Sequence, residues 1–246
     1  MNCITIENVN KDFIKSHTAP TLKQLLLSFK KTKKEYIHGL TDINLNIKKG
    51  ESVSIVGTNG SGKSTLLRII CGVYIPTSGN VHVDGRMSTM LELGSGFHPD
   101  LTGIENIYFN GAVLGFSSAE IKDKVDNIIS FSELGEYINE PIRTYSAGML
   151  MRLGFSIATE TNPDILLIDE VIAVGDNAFQ EKCYERIENI RKQNKTIIFV
   201  THDMHAATNF AERTIWIKNG KVYKDGNSNN IVKDYLNEIH VKNSQQ

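Results

Sequence analysis

Eight consecutive residues, Gly57-Thr58-Asn59-Gly60-Ser61-Gly62-Lys63-Ser64, constrain this chain more than any other stretch. They follow an apolar run, Ser52-Val53-Ser54-Ile55-Val56, and lead into a helical pattern from Lys63 to Gly72. The spacing is G-x-x-x-x-G-K-[ST], whose glycines permit the dihedrals that turn several backbone N–H groups toward one point. Such a nest at a helix N-terminus is a phosphate site. Lys63 offers a compact cation to the outer phosphates, the Ser64 hydroxyl offers a ligand to Mg²⁺, and Thr65 follows in the same cradle. A plain Gly-rich strand-to-helix turn is the alternative, but the strand before and the helix after are what the phosphate mechanism demands.

The remaining text alternates between strand and helix. Ile4 to Val9 and Ile43 to Ile47 alternate as strands do, and apolar runs at 165–169, 196–200 and 214–217 are separated by a helical stretch at 177–193. Short strands at 79–93 break at Asp84-Gly85, and Asn219-Gly220 marks a hairpin turn. Residues 103–160 are mostly helical by period, with Ile121, Val125, Ile128 and Ile129 on one face, which suits a subdomain inserted in an α/β core. A last amphipathic helix is expected over 228–240, using Ile231, Tyr235, Leu236 and Ile239. Between the first two strands lies a basic segment, 15–35, with Leu22, Leu25, Leu26 and Phe29 at helical spacing and Pro20 in the first turn.

Two further places carry candidate chemistry. Ile165-Leu166-Leu167-Ile168 ends in Asp169-Glu170; beside a phosphate loop, Asp169 can hold Mg²⁺ through its water shell and Glu170 can orient or deprotonate a water. Alone, the pair reads equally well as acids closing a strand. His202, after the strand Thr196 to Val200, is placed to touch a terminal phosphate, although a lone histidine there is more often structural.

Lys plus Arg number 27 and Asp plus Glu 28, so no bulk charge drives the chain toward nucleic acid or anionic lipid. Cys3, Cys71 and Cys183, odd in number and far apart, do not form a disulfide framework and fit a reducing compartment. No apolar stretch approaches a membrane span, and the N-terminus lacks the pattern of a secretory signal, so a soluble chain on the cytoplasmic side is expected.

Tyr145-Ser146-Ala147-Gly148-Met149, opening the helix Leu150 to Thr159, is the deciding segment. With Gly57 to Ser64, Asp169-Glu170, Asp176 and His202, in this order, it resembles the ATP-binding subunit of an ABC transporter along nearly the whole chain. The resemblance implies an α/β fold: a P-loop NTPase (RecA-like) core at 1–102 and 161–227, an N-terminal antiparallel β region, a helical subdomain at 103–160, and a C-terminal helix and tail at 228–246. It implies ATP and Mg²⁺, with Glu170 as the base and His202 at the γ-phosphate. Ser146 and Gly148 would meet the nucleotide held by the opposite subunit of a head-to-tail homodimer. The family also places an aromatic against adenine near Phe13, a residue that suits a core position equally.

Phe97 to Asn106, Tyr145 to Met149 and Asp169 to Asp176 are similar to the polysaccharide-export branch, which moves lipid-linked O-antigen, teichoic acid or capsule across the bacterial cytoplasmic membrane. Met149 stands for the usual signature glutamine, and Glu92-Leu93 occupies the place of the usual coupling glutamine. The implied partners are a second copy and integral permease subunits, which handle the glycan, with the ATPase peripheral on the inner membrane's cytoplasmic side. The basic segment at 15–35 reads either as a solvated surface helix or as one lying on the membrane face of the permease, where each lysine near anionic headgroups gains about 1 kcal/mol. About thirty residues follow the last apolar run, against roughly 100 for a glycan-binding sandwich domain, so none is expected. A soluble ATPase acting on DNA or the ribosome is the rival; it usually shows long heptad segments or two ATPase halves.

Overall fold

The computed structural model describes residues 1–15, 35–90, 96–169, 176–201 and 203–243. Segment 16–34, Glu92, Leu93, Glu170 and His202 lie outside them.

Two sheets share one core. The strand β3 (Ser52–Val56) runs into α1 (Lys63–Ile70) through the glycine loop. It sits inside a six-stranded sheet ordered β5-β6-β7-β3-β8-β9, formed with β5 (Met87–Thr89), β6 (Ile165–Asp169), β7 (Thr196–Val200), β8 (Arg213–Lys218) and β9 (Lys221–Asn227). All neighbours pair in parallel except β8 and β9, an antiparallel hairpin turned at Asn219 and Gly220, both with positive φ. The near-continuous apolar runs have the cause expected of a parallel sheet covered on both faces. Along β7, Ile198 and Val200 pack toward one core while Ile197 and Phe199 pack toward the other.

The second sheet is antiparallel and three-stranded, ordered β2-β1-β4, with β1 (Asn2–Ile14), β2 (Tyr36–Lys48) and β4 (Ser78–Val83). Its inner residues, Ile4, Ile6, Leu45 and Ile47, close over α1, whose Leu66, Leu67 and Ile70 are buried. Each of those helix side chains contributes about 1.5–3 kcal/mol by leaving water. The strands exceed the expected 4–9 and 43–47 because the polar ends of β1 and β2 pair with each other beyond the core, up to Ile14 opposite Tyr36. At the end of this pairing Lys15 N–H donates to the Glu35 carbonyl at 2.8 Å and the two side chains form an ion pair at 2.9 Å.

The helical region contains α2 (Gly103–Val113), α3 (Ser118–Lys122), α4 (Val125–Ser132), two 3₁₀ turns (Gly135–Asn139, Ile142–Thr144) and α5 (Ala147–Glu160). The face Ile121, Val125, Ile128 and Ile129 does pack into one core, but from two helices joined at Asp123-Lys124. The boundary at 160 is shared: Leu153 and Ile157 of α5 join the helical core, while Phe155 and Ala158 join the core beneath β6 and β7. Completing the chain are α6 (Asn177–Lys192), α7 (Met204–Phe210) and α8 (Ser228–Asn243). On α8 the buried set is Ile231, Val232 and Tyr235; Leu236, expected inside, is 38% exposed, because the helix meets Trp216 one position to the side of the expected stripe. No helix among the described residues is long and apolar enough to cross a membrane, and the three cysteines are free.

Candidate functional site

Ligands of open parallel sheets sit beyond the carboxyl ends of the strands. At that edge β3 delivers the glycine loop and β6 delivers Asp169, with β7 between them. Position 202, two residues past β7, therefore follows the strand that separates loop from acid, though His202 lies outside the described residues, as does Glu170.

The loop is built around dihedrals that side chains avoid. Gly60 has φ +75° and Gly62, the residue before α1, has φ +112°. A Cβ on Gly62 would also stand 2.8 Å from Leu40 Cδ2 and 2.9 Å from the Gly39 carbonyl oxygen. No side chain caps α1 and no acid occupies its first turn, whereas α2 and α3 each carry a capping box. The partial positive charge of its leading N–H groups is uncompensated by a capping oxygen. Lys63 is only 6% exposed, and its Nζ donates to the Gly57 carbonyl at 2.8 Å and the Thr58 carbonyl at 3.2 Å, bracing the loop. Ser61 donates its N–H to the Thr58 carbonyl at 3.1 Å, yet its buried hydroxyl has no hydrogen-bond partner among the described residues.

A cavity of about 480 Å³ opens here, lined by Asn59, Gly60, Gly62, Lys63, Ser64, Thr65 and Asp169 together with Phe13, Ile37, His38 and Gly39. Six of the expected phosphate-loop residues (Asn59, Gly60, Gly62, Lys63, Ser64 and Thr65) and the expected acid line one cavity with Phe13, some fifty positions earlier in the chain. Phe13, half-buried and outside the buried core clusters, lines this cavity. Gly57, Thr58 and Ser61 are not on the wall; the Gly57 and Thr58 carbonyls accept from Lys63 within the loop. Ile37, His38 and Gly39 were not anticipated. They arrive through the β1–β2 register, which sets Phe13 opposite Ile37 and Asp12 opposite His38, with His38 Nδ1 2.7 Å from Asp12 Oδ1. Only the strand pairing could have revealed them.

Ser146 and Gly148 are not on this wall. Ser146 caps α5, its hydroxyl accepting the Met149 N–H at 3.2 Å, and is exposed with Ala147. A Cβ on Gly148 would meet nothing nearer than Ser146 Oγ at 3.9 Å, so the helix tip is bare. Two contacts precede the tip. Buried Tyr145 donates its hydroxyl to the Tyr137 carbonyl at 2.6 Å, and Arg143 pairs with Asp100 at 2.8 Å. Fully buried Asn106 donates to the carbonyls of His98, Leu101 and Thr102 and accepts the His98 N–H, which explains the asparagine in the stretch 97–106. Asp176 caps α6 through the Phe179 N–H at 2.9 Å and pairs with Arg152 of α5 at 2.7 Å. Those two contacts, the backbone one foremost, hold its carboxyl below the ordinary aspartate range.

A glycine loop at the carboxyl edge of a parallel sheet, with a buried lysine and a strand-end acid across one cavity, defines the P-loop α/β class. Comparison with known proteins narrows it. A family model described as ABC transporter matches residues 40–173. The chain is 44% identical over 237 residues to the O-antigen export system ATP-binding protein RfbB of Klebsiella pneumoniae, covering 94% of this chain and 96% of that one. It is also 44% identical to the RfbB of Myxococcus xanthus, where the match takes in 100% of this chain but spans 58% of the relative's length. The teichoic acids export ATP-binding protein TagH of Staphylococcus saprophyticus is 41% identical over 94% of this chain and 87% of its own. Among solved structures, the dimeric post-hydrolysis state of the ATP-binding cassette MJ0796 bound to ADP and Pi superposes with a TM-score of 0.73 at 28% identity, covering 92% of this chain and 98% of that one. This chain belongs to the ABC transporter family.

Proposed function

We propose that this chain is the ATP-hydrolysing subunit of an exporter that moves a lipid-linked polysaccharide (O-antigen, teichoic acid or capsule) across the bacterial cytoplasmic membrane. The observation that carries the ATPase reading is the cavity joining Phe13 to Lys63, Ser64, Thr65 and Asp169. The glycan reading is carried by 44% identity along nearly the full length of an O-antigen export ATP-binding protein.

The loop N–H groups and Lys63 hold the triphosphate, and the Phe13 ring takes the adenine face. The uncapped α1 terminus offers backbone N–H groups that an anion satisfies. The Ser64 hydroxyl and the Asp169 carboxylate, hard oxygen donors on one wall, fit Mg²⁺. Bound there, Mg²⁺ neutralises phosphate charge. Glu170 deprotonates the attacking water and His202 steadies the γ-phosphate.

Ser146, exposed, and Gly148, half-buried, both away from the chain's own cavity wall, are donated to the nucleotide of a second copy. That a 28% identical cassette was solved as a dimer supports this pairing. Closure of the two copies excludes water and lets preorganised N–H groups act on developing charge. Reopening after hydrolysis moves the permease subunits to which the pair is attached on the cytoplasmic face.

Affinity purification from detergent-solubilised membranes tests the assignment. The expected result is an integral membrane protein recovered with this chain, and loss of surface polysaccharide when the wild-type copy is replaced by Lys63→Ala. Recovery with ribosomes or DNA instead, and unchanged surface polysaccharide, would contradict it.

A further inference from the structure

Phe13 is not a lone ring. Its centroid lies 5.6 Å from that of Tyr74 at an interplanar angle of 72°, the edge-to-face arrangement in which a positive ring edge meets a negative face. The Lys11 ammonium stands over both rings, 5.3 Å from Phe13 and 5.5 Å from Tyr74, and is fixed there by donating to the Ile75 carbonyl at 2.7 Å. A Cβ on Gly39 would sit 2.6 Å from Phe13 Cε2, so the ring edge occupies space that only glycine leaves.

Tyr74 in turn is fastened to the helix that begins with Lys63. Its N–H donates to the Arg68 carbonyl at 3.0 Å, and the Arg68 guanidinium lies 5.6 Å from its ring. Gly72, with φ +73°, makes the turn that brings Tyr74 back toward β1. Tyr74 itself is absent from the wall of the nucleotide cavity. One short helix therefore carries the phosphate cradle at its start and, through Arg68 and Tyr74, the support of the base platform at its end.

We infer that Tyr74, with Lys11, is a positioning residue that sets Phe13 at a fixed span from the phosphate loop and so governs affinity for the nucleoside half of ATP. This rests on the reading of Phe13 as the base platform. A polyphosphate lacking a nucleoside needs only the loop, and an aromatic pair contributes about 0.5–1.5 kcal/mol beyond burial, so the effect is selective and moderate.

The test is displacement of a fluorescent ATP analogue from the full chain by ATP and, separately, by inorganic tripolyphosphate. Tyr74→Ala is expected to weaken ATP by roughly threefold to tenfold while tripolyphosphate stays within about twofold. In turnover assays KM rises and kcat holds. Tyr74→Phe keeps the edge-to-face ring and restores wild-type affinity. Lys11→Met, which keeps the stem and removes the charge, shifts ATP in the same selective direction and serves where Tyr74→Ala does not fold. Equal loss for both ligands, or for neither, would overturn the inference. Phe13→Ala separates the failures: if it too leaves ATP unchanged, the platform reading is at fault, and if it weakens ATP while the Tyr74 and Lys11 variants do not, only the positioning role falls.

Discussion

Lys63→Ala loses ATP turnover by at least about 100-fold, the scale seen when one preorganised charge-stabilising group is removed from a transition state. Two effects combine. The ammonium is the cation at the loop, and in the free protein it also ties the Gly57 and Thr58 carbonyls at 2.8 and 3.2 Å, holding the nest in shape before nucleotide arrives. Alanine removes the charge and frees those carbonyls, so binding weakens along with chemistry. Lys63→Arg does not rescue, because a planar fork cannot replace a compact ammonium at a position 6% exposed. Phosphate release from purified protein measures the effect. Turnover within tenfold of wild type would remove Lys63 from the mechanism.

The second large effect is expected at Glu170. Glu170→Gln keeps the shape of the side chain and removes the proton acceptor, which costs roughly 10²–10⁴ in hydrolysis. Nucleotide binding survives, since the loop and Asp169 are untouched. With ATP bound and not cleaved, the closed pair has no route to reopen, and size-exclusion chromatography in ATP and Mg²⁺ shows a dimer that wild type forms only transiently. A variant that hydrolyses at the normal rate would assign the base to another group.

The parts of this site that could be read in advance are those whose chemistry is local. Gly57 to Ser64 is one uninterrupted run whose spacing and flanking strand and helix are visible in the letters, and Asp169 is marked by the four apolar residues before it. The alternation of strands and helices likewise reports which faces are buried. What stayed hidden depends on pairing across distance. Ile37, His38 and Gly39 reach the cavity because β1 and β2 continue pairing past the core, where the side chains turn polar and the alternation fades. The split between α3 and α4 was masked because Ile121 and Ile128 serve one core from both sides of the break. On α8, Leu236 fits a helical stripe as well as Val232 does; the position of Trp216 decides between them, and periodicity holds no record of it. The same limit applies to Tyr74, whose role follows from a turn at Gly72 that aims it at β1.

On the proposed function, one chain carries the triphosphate cradle while its Ser146–Gly148 tip serves another chain's nucleotide. Turnover per chain, followed through a dilution series with the oligomeric state measured by sedimentation velocity at each concentration, tests it most directly. The rate is expected to fall with the dimer population and to vanish for the monomer. A strictly monomeric sample hydrolysing ATP at the undiluted rate would contradict it.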